Sequence, residues 1–241
     1  ASGRAFDLLA EVGRDCVGAV QLLPEGDSPA GIDRIVGEPL DEDGVADILR
    51  STPAATGIGR TDDDVFRISL AGAQEKTALL WHDGRWHRPG GATPSTHIFK
   101  LPMGRVGNMQ ADFSTSVENE WLCARIVRAF GLPVADCSIG VFEDQKALVV
   151  TRFDRRLAKS GGHWLRLPQE DLCQATATPP ALKYESDGGP GIAQAMELLL
   201  GSVDSEQDRL RFFKAQLVFW LLCATDGHAK NFSVHLLPGG G

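Results

Sequence analysis

The spacing of apolar residues changes part-way along this chain, and that change limits the fold more than any single motif does. From about Val65 to Leu101 the apolar residues fall in short strand-like runs: Val65 to Leu70, Thr77 to Trp81 and His97 to Lys100. Asp83-Gly84 joins short runs as a hairpin turn would. Ser116 then opens a helix in which Val117, Trp121, Ala124, Ile126, Val127 and Phe130 recur every three or four positions, and Gly131 with Pro133 closes it. Ala147 to Val150 reads as a further strand. After Arg156 the pattern is helical, over Ile192 to Leu200 and Arg209 to Cys223, with connections such as Asp187-Gly188-Gly189-Pro190. A strand-rich part with one helix, followed by a helical part, predicts an α+β fold of two lobes, an arrangement that commonly binds a ligand in its crevice. The expected boundaries are a tail of a preceding subdomain over residues 1–60, a strand-rich nucleotide-binding lobe over 61–154 and a helical catalytic lobe over 155–241. The tail carries apolar runs at Phe6 to Ala10 and Ala19 to Leu23 and a short helix over Asp41 to Arg50, too little for a core of its own.

Composition removes several functions. A formal net charge of −8 speaks against non-specific binding to phosphate backbones, so DNA contact is expected only indirectly, through a partner. The longest apolar run, Ala215 to Ala224, is interrupted by Gln216 and is too short to span a bilayer. The N-terminus lacks the layout of a secretory signal. Five scattered cysteines with no C-x-x-C pair speak against a disulfide framework or a zinc ribbon and for a reducing, cytoplasmic setting. The five tryptophans read as packing residues, and His82, His87, His97, His163 and His235 are too dispersed for a metal cluster.

Three stretches carry chemistry. In Thr225-Asp226-Gly227-His228-Ala229-Lys230-Asn231 an Asp precedes an Asn at the spacing of a kinase catalytic loop, where the Asp accepts the substrate hydroxyl's proton and the Asn holds Mg2+. The same string also suits a polar turn after a helix. Lys100 ends a strand, the place from which kinases bring positive charge to the α- and β-phosphates; its carboxylate partner is then Glu118 or Glu120 on the next helix. A solvated strand-end lysine is the plainer alternative. Between two strands, Ser69 to Thr77 is rich in small residues, so backbone N–H groups can approach phosphate oxygens, although composition alone gives only a hairpin loop. In order, the three supply a phosphate cradle, a cation, and a base with a metal ligand, the parts that phosphoryl transfer needs.

Longer strings carry a resemblance. Ile68 to Leu80, Arg152 to Arg156, Leu165 to Asp171, Lys183 to Gly191 and Ala224 to Val234 resemble the corresponding segments of the HipA family of serine/threonine toxin kinases. The resemblance implies a two-lobed protein-kinase-like fold with ATP and Mg2+ as cofactors. Ala71, Gly72, Ala73, Gln74, Glu75 and Lys76 would wrap the ATP phosphates above Lys100, and Thr151, Arg152 and Phe153 would form the hinge beside the adenine. Asp226 would be the catalytic base, with His228, Ala229, Lys230 and Asn231 near the phosphates and Asn231 on the metal. Ser69 matches the family's autophosphorylated serine. The family's substrate is glutamyl-tRNA synthetase, and its partner is the DNA-binding antitoxin HipB.

One departure from the family's pattern is visible. Kinases hold Mg2+ with a second carboxylate on a later segment, and Phe232 to Gly241 contain no Asp or Glu. The expectation is therefore a fold incomplete at both ends, with weak nucleotide binding and little turnover. Two alternatives stay open: an inactive HipA-like fragment that binds antitoxin or nucleotide, and a small-molecule kinase of the same layout.

Overall fold

The computed structural model describes residues 13–23, 25–26, 29, 31–55, 74–106 and 110–239. The chain divides into two compact units, Ala1–Arg125 with Ala135–Arg166, and Ile126–Val134 with Leu167–Gly241. The strands are β1 (Gly37–Leu40), β2 (Lys76–His82), β3 (Arg85–Pro89), β4 (His97–Lys100), β5 (Gly104–Val106), β6 (Ala111–Phe113), β7 (Cys137–Phe142), β8 (Gln145–Thr151), β9 (Arg155–Leu157), β10 (Trp164–Arg166), β11 (Gln169–Asp171) and β12 (Ser233–His235). The α-helices are α1 (Glu42–Ala55), α2 (Ser116–Ala129), α3 (Leu172–Ala175), α4 (Ile192–Leu198) and α5 (Ser205–Leu221).

The first unit is built on an antiparallel six-stranded sheet in the order β1-β3-β2-β4-β8-β7. Successive side chains in a strand point to opposite faces. One face therefore gathers Leu79 of β2, Phe99 of β4, and Ala147 and Val149 of β8, while their neighbours turn to the other. Onto this face α1 lays Val45, Ile48 and Leu49, spaced as one stripe of a helix requires. Asp41 starts that helix: its carboxylate accepts the Gly44 N–H at 2.9 Å and its carbonyl the Val45 N–H at 3.1 Å. Phe99 is fully buried and meets Trp86 and Phe142 at centroid distances of 4.8 and 5.7 Å. The β2–β3 hairpin turns at Asp83 and Gly84, both at positive φ (48° and 75°), the geometry that matches the twist of the strands it joins.

In the second unit, α3, α4, α5 and the β11–β12 pair surround a small core of Leu172, Cys173, Ala195 and Ala229, joined by Leu198, Phe212, Phe232 and Val234. Gly131, at φ 75°, ends α2 as expected: its N–H reaches the Arg128 carbonyl at 2.9 Å while Leu132 reaches back to Val127.

The expected strands over Thr77 to Trp81, His97 to Lys100 and Ala147 to Val150 are present, as is the helix from Ser116. The helix expected from Arg209 begins earlier, at Ser205, and the one from Ile192 tightens into a 3-10 turn over Leu199–Gly201. The stretch read as a tail supplies β1 and α1 to the first unit. The runs Val65 to Leu70 and Phe6 to Ala10 lie outside the described residues. Among those described, no helix is long and apolar enough to cross a membrane.

Truncating Phe99 tests this account of the first unit's core. Phe99→Ala is expected to cost roughly 3–5 kcal/mol in denaturant unfolding, the loss typical of an aromatic removed from a packed core.

Candidate functional site

Because Phe99 enters the core, Lys100 must leave β4 on the opposite face, and there it forms an ion pair with Glu120 of α2. Glu118, the other carboxylate proposed from sequence, instead takes Lys146 of β8. Across the sheet, Lys76 at the start of β2 stands directly opposite Lys100. Burial first, and the Lys100 charge second, lower the Lys76 ammonium from its ordinary value, and its Nζ donates to the Gln74 carbonyl at 2.5 Å. Gln74 is itself anchored, donating through Nε2 to the Leu101 carbonyl at 2.8 Å, while the Glu75 carbonyl accepts the Leu101 N–H at 3.0 Å. Two cations and a helix carboxylate thus lie at one end of the sheet, at the exit of the loop proposed to cradle phosphate. Ser69, Ala71, Gly72 and Ala73 of that loop lie outside the described residues.

Of the three residues proposed as a hinge, Thr151 ends β8 and Arg152 and Phe153 follow it. Thr151 and Phe153 are exposed, but the Arg152 guanidinium is buried. It grips Asp154 through two hydrogen bonds, Nε to Oδ1 at 3.0 Å and Nη2 to Oδ2 at 2.8 Å, and reaches Asp15 Oδ2 at 3.1 Å. Arg155 and Arg166 also close on Asp15, at 3.2 and 2.8 Å, and Ser95 donates to it. Only the backbone of Arg152 remains for a ligand, and its N–H already goes to Thr96 at 2.9 Å. Burial alone would raise the Asp15 carboxyl, but Arg152, Arg155 and Arg166 together hold it below its ordinary range. Asp154 is lowered in the same way, against its own burial, by Arg152 and Arg155. Burial, aided by the Arg152 charge, brings Arg155 down to about 10, which leaves it protonated at neutral pH.

In the second unit, Cys223, two residues past the end of α5, takes a left-handed conformation (φ 52°), which turns the chain sharply into the predicted catalytic loop. The loop is held by its own backbone. His228 N–H reaches the Asp226 carbonyl at 2.9 Å, and Asn231 N–H reaches His228 at 2.9 Å. Asn231 Nδ2 donates to the Asp226 carbonyl at 2.5 Å, and Ala229 N–H donates to the Lys183 carbonyl at 3.0 Å. These bonds present the Asp226 side chain to solvent (78 % exposed) while that of His228 stays buried (7 %). Lys230 pairs with Asp171 at 2.7 Å, and Asp171 also caps α3 through the Gln174 N–H. Tyr184, not singled out from sequence, donates its hydroxyl to Asp226 Oδ1 at 3.2 Å.

The loop offers one atom to a magnesium ion. Asn231 spends its Nδ2 on the Asp226 carbonyl, so Oδ1 is the amide atom left to act as a hard oxygen ligand. Magnesium is commonly held by one or two carboxylates, with water and phosphate completing its shell, so Asn231 would supply only part of such a site. Among the described residues, no three His, Cys, Asp or Glu side chains gather as a metal cage.

The fold resembles HipA of Shewanella oneidensis MR-1, solved as a HipA, HipB and operator DNA complex, with a TM-score of 0.75 and 26% identity, covering 100% of this chain and 56% of that one. Residues 68–241 match the model for the HipA-like C-terminal domain, and the chain belongs to that family. A Sinorhizobium fredii protein named as a kinase, Y4mE, is 36% identical over 95% of this chain. The serine/threonine-protein kinase toxin HipA of S. oneidensis is 28% identical over 99% of it. The chain spans about half the length of these relatives, 53% and 54% respectively.

The buried charge cluster gives a prediction of sign as well as size. The folded-state carboxyls of Asp15 and Asp154 lie below the ordinary aspartate value of 3.8, so their stabilisation is complete above that value and is lost as pH falls through the lower folded-state values. Asp15→Asn, which leaves three guanidinium groups short of a counter-charge, is expected to cost roughly 3–5 kcal/mol at neutral pH and to flatten the acid limb of the stability curve. Denaturant midpoints measured across pH check both effects.

Proposed function

We propose that this protein is an ATP-dependent serine/threonine protein kinase of the HipA toxin type. The observation that carries the proposal is the Lys100–Glu120 pair, a strand-end lysine held by a helix carboxylate, as kinases hold the lysine that meets the α/β-phosphates. On this reading the strand-rich unit is the nucleotide-binding lobe and the helical unit the catalytic lobe of a two-lobed, protein-kinase-like fold. Lys100 and Lys76 supply positive charge to the phosphates, and Thr151 to Phe153 line the adenine through their backbone.

The reaction moves the γ-phosphoryl group of ATP to a serine or threonine hydroxyl. The hydroxyl oxygen forms its bond to phosphorus as the bond from phosphorus to ADP breaks, ADP leaves with that electron pair, and Asp226 accepts the hydroxyl proton. Asn231 would hold Mg2+, whose chemistry there would be to neutralise phosphate charge. Ser69 is the proposed site of autophosphorylation. The family resemblance supplies the rest of the proposal: a HipB-like antitoxin as partner, contact with DNA through that antitoxin, and glutamyl-tRNA synthetase as substrate. The co-structure of the S. oneidensis relative with HipB and operator DNA supports the partner.

Intact mass before and after incubation with Mg-ATP tests the proposal. The expected result is the gain of one phosphoryl group mapped to Ser69. Asp226→Asn should slow that gain by about 10²–10⁴-fold, the usual contribution of a general base, while binding of a fluorescent ATP analogue persists. Lys100→Ala should instead lose the analogue. A protein that neither gains mass nor binds the analogue is not a kinase of this type.

A further inference from the structure

The string Lys183 to Gly191 is absorbed by none of the roles above, yet it is built to hold one side chain against Asp226. We propose that Tyr184 is the positioning residue of the catalytic base, an inference that rests on Asp226 being that base.

Tyr184 donates its hydroxyl to Asp226 Oδ1 at 3.2 Å. His228 Nε2 approaches the same oxygen at 3.6 Å, beyond hydrogen-bonding range. Both approaches fall on Oδ1, so Oδ2 is the oxygen left to take a proton from a substrate hydroxyl. The phenol cannot rotate away easily. Its ring meets the His228 ring edge-on, with centroids 5.0 Å apart and planes at 85°, and the Lys183 ammonium lies 5.0 Å from its centroid. The backbone is stitched to the catalytic loop one residue earlier, where the Lys183 carbonyl accepts the Ala229 N–H.

The glycines that follow complete the hold. Asp187 and Gly189 both donate their N–H groups to the Tyr184 carbonyl, at 3.1 and 3.0 Å. A Cβ on Gly189 would sit 1.8 Å from the Leu182 carbonyl oxygen and 2.9 Å from that of Tyr184, so no larger residue fits this turn. Gly188, at φ 90°, sits in the conformation glycine tolerates best. The turn therefore fixes Tyr184 from its main chain, and Tyr184 in turn fixes one oxygen of an exposed carboxylate that would otherwise swing freely. Holding a catalytic group in a near-attack orientation is a recognised source of rate, and its loss falls on turnover rather than on nucleotide binding.

The test has two independent readouts. Tyr184 is the chain's single tyrosine, so labelling tyrosine at ring carbon ζ with 13C gives one NMR signal that reports on the hydroxyl's hydrogen bond. That signal is expected to move in Asp226→Asn and to stay in place in Lys146→Gln, a change remote from the loop in sequence. Tyr184→Phe keeps the ring and removes only the donor. It is expected to lower kcat for Mg-ATP-dependent phosphorylation about tenfold, the scale of one hydrogen bond to a charged group, with KM for ATP unchanged. A parallel rise in KM, or a signal indifferent to Asp226→Asn, overturns the inference. So does full activity in Tyr184→Phe while Asp226→Asn is inactive. Full activity in Asp226→Asn overturns the assignment of the base itself, and is thereby distinguished from a failure of Tyr184 alone.

Discussion

Burying Phe99 commits Lys100 to the opposite face of the sheet, and much of the first unit's chemistry follows from that alternation. The phenyl ring is the largest fully buried side chain of its core, packed under α1 and between Trp86 and Phe142. A shift of one residue in the β4 register would place the ring in solvent and the ammonium in the core, so packing holds the lysine's direction more firmly than its own ion pair could. Partly exposed ion pairs are worth little by themselves. The Lys100–Glu120 pair is better understood as a consequence of core packing that places charge usefully than as a source of stability.

A second constraint is the cluster of Asp15, Asp154, Arg152, Arg155 and Arg166. Three guanidinium groups and two carboxylates are removed from water together, and carbonyls of Arg14, Cys16, Gly18 and Ala92 take up further N–H donors, while Arg155 Nε is buried without a hydrogen-bond partner among the described residues. Such a group adds less stability than an apolar core of equal volume, but it is unforgiving of partial loss, because each charge removed strands the others. Its effect is to tie residues 13–18 to the segment leaving β8, a connection that apolar contacts alone would not specify.

What the sequence reveals follows from the range of each interaction. The β2–β3 hairpin, α2 with its Gly131 stop, and α5 rest on contacts within a few residues, and their positions are legible in the residue pattern. The strand-end position of Lys100 and the Asp226–Asn231 spacing were legible in the sequence, but the choice of Glu120 over Glu118 as the lysine's partner was not, because it depends on how α2 lies against β4 and β8. Asp15 was not legible, since its arginine partners lie more than 130 residues away and a lone Asp in a Gly-rich stretch carries no pattern. Strand β7 was missed because Cys137-Ser138-Ile139-Gly140-Val141-Phe142 mixes small and apolar residues, and Gly140 is a poor strand former that fits because Phe142 and Val149 crowd its position. Tyr184 was passed over because its string reads as a turn; only the fold carries its hydroxyl to Asp226. Lys230 and Arg152 were named as ligand-facing, and the structure gives their charged ends to Asp171 and to the buried cluster.

We propose that Lys100 stands where nucleotide phosphate binds. The most direct measurement uses an acyl-phosphate derivative of ATP, which transfers its acyl group to whichever lysine amine lies beside the bound phosphates, followed by peptide mass mapping. The account predicts acylation concentrated on Lys100, with Lys76 second, and its suppression by excess Mg-ATP. Labelling spread over surface lysines, or labelling of Lys100 that ATP does not suppress, would contradict it.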